Sequence, residues 1–197
     1  MKKSITVLLL IFTITFVSAQ EEKEKLSDIP VGYQFVKASF NLTSSKAGDA
    51  KSNGFSILPV YGKFVAPNLS FAIGVGYNSN KTEDGSGTTI GNTNGLTLLG
   101  LSRQYKHVAT PFYIFLQEDI YYSNSKDKIS DIKTNGFGIG ISPGFNYFMS
   151  SNLSIDVTLG RLGYDSSKPD FDGAENTSNF SLGFDMFNIG FGVLYSW

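Results

Sequence analysis

Four stretches of this chain alternate strictly between large apolar residues and small or polar ones. Leu69, Phe71, Ile73, Val75 and Tyr77 are separated by Ser70, Ala72, Gly74 and Gly76. Phe137, Ile139, Ile141, Phe145 and Tyr147 are interleaved with Gly138, Gly140, Ser142, Gly144 and Asn146. Leu153, Ile155, Val157 and Leu159 alternate with Ser154, Asp156 and Thr158, and Phe187, Ile189, Phe191, Val193, Tyr195 and Trp197 repeat the pattern to the last residue. A period of two places the two sets on opposite faces of a β-strand. Extended along the chain, the pattern predicts strands near 31–43, 54–65, 69–80, 94–106, 111–123, 134–149, 153–164 and 178–197. Pro59 and Pro143 each remove a ladder donor, which predicts a bulge or a strand end. The apolar phase of the last strand shifts between Met186 and Phe187, which predicts another bulge.

The connections alternate in length. Tight turns fall at 66–68, 107–110 and 150–152, whereas 44–53, 79–93, 124–133 and 165–177 read as long polar loops rich in Ser, Asn, Gly, Asp and Lys. Short turns at one end and long loops at the other are the habit of a transmembrane β-barrel. Ile57, Pro59, Phe64, Asn68, Leu69 and Ser70 recur as Ile141, Pro143, Phe148, Asn152, Leu153 and Ser154. Shared hairpin chemistry explains that echo, because turn residues recur for backbone reasons.

The minority face is mostly Gly, Ala, Ser and Asn, which suits a narrow interior, while the bulky face suits lipid. Aromatic residues near strand ends (Tyr61, Tyr77, Tyr147, Tyr195 and Trp197) fit interfacial girdles. Several charges lie inside strand patterns. Lys37, Arg103, Asp156 and Asp185 are assigned to the lumen, where they should pair, since an unpaired buried charge is costly. Glu118 and Asp119 are adjacent, so at most one faces inward, and the pattern leaves the phase of the fourth and fifth strands open. Eight strands enclose a space that side chains just fill, so a plug is expected in preference to a narrow conducting path.

The first residues change the picture of where the chain goes. Lys2 and Lys3 precede an apolar run from Ile5 to Val17, and Val17-Ser18-Ala19 fits a small-residue cleavage site. This predicts a secretory signal peptide over 1–19, a charged lead-in over 20–30, and a barrel over 31–197. The run is short of the ~20 residues that a helical span needs. Formal net charge is −1, so no basic surface argues for nucleic acid. Cysteine is absent and histidine occurs once, which excludes disulfides and thiol chemistry and leaves no His cluster for a metal. Charged residues make up 17%, low beside the ~25% usual in soluble domains.

From Val31 to Trp197 the chain resembles the outer-membrane β-barrel domain family, the small OmpA/OmpX-like porin-family barrels of diderm bacteria. The resemblance is carried by residues 54–65 with Pro59, the Asn68-Leu69-Ser70 restart, Gly76-Tyr77, and the repeat of this pattern from Ser142-Pro143 to Leu153. It implies an all-β, eight-stranded antiparallel up-and-down barrel in the outer membrane, with periplasmic termini and contact with membrane lipid and lipopolysaccharide. Phe191, Val193, Tyr195 and Trp197 look like the family's C-terminal signal for the barrel-assembly machinery, with Trp197 in place of the usual Phe. Some barrels of this size act on lipid A with a His near Ser and an acid. The single His107 falls in a short turn that periplasmic termini place away from lipid A, so no enzyme activity and no cofactor are expected. Gly74-Val75-Gly76, Gly138-Ile139-Gly140 and Gly190-Phe191-Gly192 sit in strands and read as lumen residues rather than phosphate loops. Asp170, Asp172 and Glu175 lack the spacing of a calcium loop and read as a solvated acidic loop. The expected role is structural, with four polar loops presented to an unidentified extracellular partner. The alternatives are a passive low-conductance pore, or a soluble lipocalin-like barrel that would need Leu69, Phe71 and Ile73 to face inward.

Overall fold

A computed structural model describes residues 28–183 and 189–197. Ten strand segments follow in order: β1 (Gln34–Ala47), β2 (Ala50–Ala66), β3 (Leu69–Glu83), β4 (Thr89–Ala109), β5 (Phe112–Asp127), β6 (Lys133–Phe148), β7 (Leu153–Leu159), β8 (Arg161–Pro169), β9 (Thr177–Gly183) and β10 (Ile189–Ser196). Successive strands from β1 to β6 pair antiparallel. Both β7 and β8 pair with β6, as two halves of a seventh strand. β10 and β9 pair with β7 and β8 in turn and form the eighth. β1 pairs with β10 from Phe35↔Ser196 to Ala38↔Val193, which closes the ring. Gln34 and Trp197 exchange two backbone hydrogen bonds of 3.0 Å, so the two ends of the barrel sequence meet. The fold is therefore the expected eight-stranded antiparallel barrel. Beyond Ala38 the described residues of β1 pair with β2 alone.

The strands are longer than their apolar patterns. β1, β2 and β4 run 14, 17 and 21 residues, against the ~9–11 that a tilted membrane strand needs. The long loops expected at one end are correspondingly overturned. Residues 44–53 form a hairpin tip around Gly48, and the links expected over 79–93, 124–133 and 165–177 shrink to 84–88, 128–132 and 170–176. Ser, Thr and Asn mark where a strand leaves an apolar layer, yet their backbone groups continue the ladder. Loop polarity and loop length are separate properties, and only the first was in the pattern.

Exposure confirms the outward set. Ile73 is 69% exposed, Val75 55%, Leu98 58% and Val193 54%, whereas Ser70, Ser154 and Asp156 are almost wholly buried. Tyr61, Tyr77, Tyr147, Tyr195 and Trp197 all face out. The inner set needs a correction. Towards the turn end, Phe35, Phe64, Tyr105, Tyr113 and Phe115 also point inward and are buried, so the axis is not crowded by small residues alone. A Cβ at Gly62 would strike the ring of Phe35, and one at Gly144 the ring of Phe115. The missing side chains of the wall make room for the rings.

Each proline behaves differently. Beside Pro143 the β6 ladder passes from Gly144↔Thr158 to Ile141↔Leu162, three steps on one strand against four on the other. The extra residue is a bulge at Gly160, whose φ of +72° favours glycine. At Pro59 no bulge forms. The β2–β3 register continues from Ile57↔Tyr77 to Val60↔Gly74 without a slip, and the shift in this pair lies at Phe64/Ala66. The phase shift expected between Met186 and Phe187 lies outside the described residues. The echo between Asn68 and Asn152 is turn chemistry: the Asn68 side chain accepts from the Ile29 amide at 2.9 Å, and the Asn152 amide donates to the Ser196 carbonyl at 2.8 Å. Ile29 is thereby drawn into the core at the turn end, so the end of the expected charged lead-in is packed rather than free.

Two outcomes follow from this wall. Ile73→Arg, in the middle of the outward face of β3, should destabilise the lipid-inserted barrel by ~2–4 kcal/mol, read from urea unfolding in vesicles. Ser56→Ala on the inner face should stay within about 0.5 kcal/mol. At the β3–β4 tip, Asp84 accepts from the Ser86 hydroxyl at 2.6 Å and from the Ser86 and Thr88 amides at 2.9 Å. The Ser86 hydroxyl foremost, then the Thr88 amide, holds its carboxyl below the usual carboxylate range. A depressed carboxylate stabilises above its unfolded pKa and ceases to as pH falls through the folded value. Amide protection of Ser86 and Thr88 should therefore persist at neutral pH and fade on acidification, and Asp84→Asn should remove most of that pH dependence.

Candidate functional site: the barrel interior

The interior is stacked in layers. At the turn end, strand alternation sends Phe35 (β1), Phe64 (β2), Tyr105 (β4) and Tyr113 and Phe115 (β5) towards the axis. Their rings touch in a chain, with centroids 6.0 Å apart for Phe35–Phe64, 5.4 Å for Phe64–Tyr105 and 5.6 Å for Tyr105–Phe115. Ile29 and Leu194 complete the layer. A void of about 10 Å³ remains among Phe35, Phe64, Tyr105 and Asn146, room for roughly one water. The Tyr33 ring packs against Phe64 at the turn end, and its hydroxyl donates to the Ser151 carbonyl.

Above the rings lies a charge triad. Asp156 (β7) accepts from Lys37 (β1) at 2.7 Å and from Arg103 (β4) at 2.6 Å through the same carboxylate oxygen. Arg103 is 1% exposed and also donates to Gln117 at 2.9 Å, while its guanidinium lies 4.3 Å from the Phe115 ring centroid. Gly192 makes room for the triad, because a Cβ there would strike both Asp156 and Lys37. A second cluster sits nearer the loop end. Arg161 (β8) bonds Asp119 (β5) at 3.0 Å and both oxygens of Asp165 (β8) at 3.1 Å. The Tyr121 hydroxyl donates to Asp165 at 2.7 Å. Three cations thus face three carboxylates across these two layers. Beyond Leu58 a cavity of about 480 Å³ opens among Ser39, Asn41, Ser56, Asn78 and Thr97, all uncharged.

The structure brings together three of the four residues assigned to the lumen from sequence, Lys37, Arg103 and Asp156. Asp185 lies outside the described residues. Arg161, Asp119, Asp165, Tyr121 and Gln117 were not assigned. Arg161 is in phase with the outward apolar run ending at Leu159, so the pattern alone would turn it out, and the bulge at Gly160 turns it inward. That glycine was the available signal. Asp165 reads as loop, yet it pairs with Gly138 inside the β6–β8 ladder. The open phase of β5 resolves with Asp119 inward and Glu118 outward, where Glu118 accepts from the Ser102 hydroxyl at 2.6 Å.

The remaining assigned positions scatter. Val193, Tyr195 and Trp197 face out at the closing strand. Phe191 pairs through its backbone with Val157. His107 stays at the turn end, 3.2 Å from the Thr110 hydroxyl and edge-on to Tyr113. Asp170, Asp172 and Glu175 are exposed at the β8–β9 tip. Among the described residues no group of His, Asp or Glu side chains gathers to hold a metal.

Removing one member of the triad should be costly. Asp156→Ala leaves two buried cations facing each other, so unfolding free energy should fall by roughly 3–5 kcal/mol. Replacing all three (Lys37→Met, Arg103→Met, Asp156→Leu) should cost far less, because the desolvation penalty goes with the charges. Urea titration of the barrel in detergent micelles reads both.

The comparisons agree with this geometry. The sequence matches the family described as "Outer membrane protein beta-barrel domain" over residues 5–193. The structure is similar to that of Neisserial surface protein A (NspA), with a TM-score of 0.52, 15% identity, and coverage of 87% of this chain and 99% of that one. It is similar to the E. coli outer membrane protein W, with a TM-score of 0.52, 11% identity, and coverage of 85% and 98%. At such identities the likeness is one of fold. No curated protein sequence matches the chain. With a family match across almost its whole length and a closed wall that turns its bulk outward, the chain belongs to the outer membrane protein β-barrel domain family.

Proposed function

We propose that this barrel is a structural, non-conducting element of the outer membrane, whose loop end faces outward and whose chain ends lie in the periplasm. The observation that carries this reading is the filled interior. Interlocked rings close the turn end, and two charge layers of opposite net sign, which balance each other, occupy the space above it. A solute entering the cavity beyond Leu58 meets Arg161 and Asp119, then the triad, then the rings. Fixed charges already paired with one another bind no mobile ion strongly and leave little room for one. The four hairpin tips, rich in Ser, Asn, Asp and Lys, are the surface offered to a partner outside the cell. The wall itself meets lipid and lipopolysaccharide, and the outward alternation of Val193, Tyr195 and Trp197, with Phe191 in the same period, serves as the signal to the barrel-assembly machinery. No catalytic role is proposed, since His107 stands apart from both charge clusters.

The lipocalin-like alternative does not survive, because Phe71 and Ile73 face out at 42% and 69% exposure. The pore alternative is testable. Purified protein in planar bilayers should give no discrete channel openings. Asp119→Ala with Arg161→Ala, which opens the upper charge layer, should still give none, because the aromatic layer remains. Regular, ion-dependent openings from the unaltered protein would replace the structural reading with the pore.

A further inference from the structure

Around mid-height the outward wall is hydrocarbon with one exception among the described residues; Lys106, exposed in the same row, lies nearer the turn end. On β4 the outward row reads Leu96, Leu98, Gly100, Ser102 and Gln104, and on β5 it reads Ile114, Leu116, Glu118, Ile120 and Tyr122, with Ser102 directly opposite Glu118 in the ladder. Glu118 is cross-strand neighbour to Ile141 on its other side. Leu98, Ile114, Leu116, Ile120 and Tyr122 around it are exposed at 58, 43, 39, 47 and 49%. Glu118 lies six residues from the start of β5 at the turn end, about 15 Å up a tilted strand, near the middle of an apolar band ~25 Å tall. One of its carboxylate oxygens accepts from Ser102 at 2.6 Å. The other oxygen and the Gln104 amide have no hydrogen-bond partner among the described residues.

Hydrocarbon contains no water to satisfy such groups, and each one left open is penalised. Gly100 and Ser102 also lower the wall here, forming a notch between the bulky rows of β3 and β5, and small residues beside a polar group allow close approach of a second wall. We propose that the β4–β5 face is an intramembrane docking surface for a second copy of this chain, centred on Glu118, Ser102 and Gln104. The patch is self-complementary. It carries an unfilled acceptor on Glu118 and an unfilled donor on Gln104, and a two-fold interface brings each against the other's counterpart. A two-fold axis along the membrane normal also sets equivalent residues at equal depth. Gln104 stands two residues nearer the turn end than Ser102, about 6–7 Å along the strand, a gap that two long side chains span. Each Gln104 amide then donates to the partner copy's free Glu118 oxygen, and the Gly100 notches allow the walls to meet.

The native chain has no cysteine, so single cysteines report contact directly. In vesicles of the full barrel, Ile120→Cys beside the patch should give a disulfide-linked dimer at least ten-fold more readily than Val193→Cys on β10. Adding Glu118→Leu, or Gln104→Leu, to Ile120→Cys should reduce that yield to the Val193→Cys level. Both variants should retain the heat-dependent gel mobility of a folded barrel, since they extend an apolar wall. Equal cross-linking at Ile120→Cys and Val193→Cys, or yields unchanged by Glu118→Leu, would overturn the proposal. So would a product in whole cells heavier than two copies of this chain, which would assign the patch to a different membrane partner.

Discussion

A backbone in hydrocarbon has no solvent to bond with, so every amide and carbonyl in the membrane must find a partner in the chain itself. That constraint shapes this protein more than any side chain does. It requires antiparallel neighbours all the way round, and it requires the last strand to find the first. Closure is made at the turn end, where Gln34 meets Trp197 and four residues of β1 pair with β10. The constraint also explains the long ladders: Ser, Thr and Asn residues beyond the apolar band continue the pairing out into water.

Closing eight strands leaves an interior that side chains must fill, and the chain fills it with two chemistries. Rings occupy the turn half, where glycines in the wall give them depth. Charges occupy the middle, where each is matched. Hydrophobic burial does not drive this packing as it would in a soluble protein, because the bulk of the apolar surface faces lipid. The buried ions are tolerated because each is paired and the two groups balance each other, Asp156 held between Lys37 and Arg103 with one positive charge in excess and Arg161 held between Asp119 and Asp165 with one negative.

Much of this was legible beforehand, and the failures are instructive. The faces of β3, β6 and β7 could be read directly, since period two needs no long-range information. Asp156 could be placed inside for the same reason, and Lys37 and Arg103 because a charge within a strand pattern needs a partner out of lipid. Arg161 could not, because a single bulge inverts every later side chain on its strand. The bulge sits at Gly160, opposite Pro143 of a neighbouring strand, so only the pairing of the two strands reveals it. Pro59, locally just as disruptive, produces no slip, because the ladders on either side hold its register. The rings at the turn end escaped notice because Phe35, Phe64 and Tyr105 look the same in sequence as residues that face lipid.

The amino-acid sequence by itself determined the kind of wall: antiparallel, two-faced, greasy outside, with turns and tips in alternation. These are local properties, set by residue i against residue i+1. The tertiary structure alone decided which residues meet across the axis, how far the ladders run, and that Glu118 faces out while Asp119 faces in. Those outcomes depend on register between strands far apart in the chain, and register becomes definite only when the ring is closed.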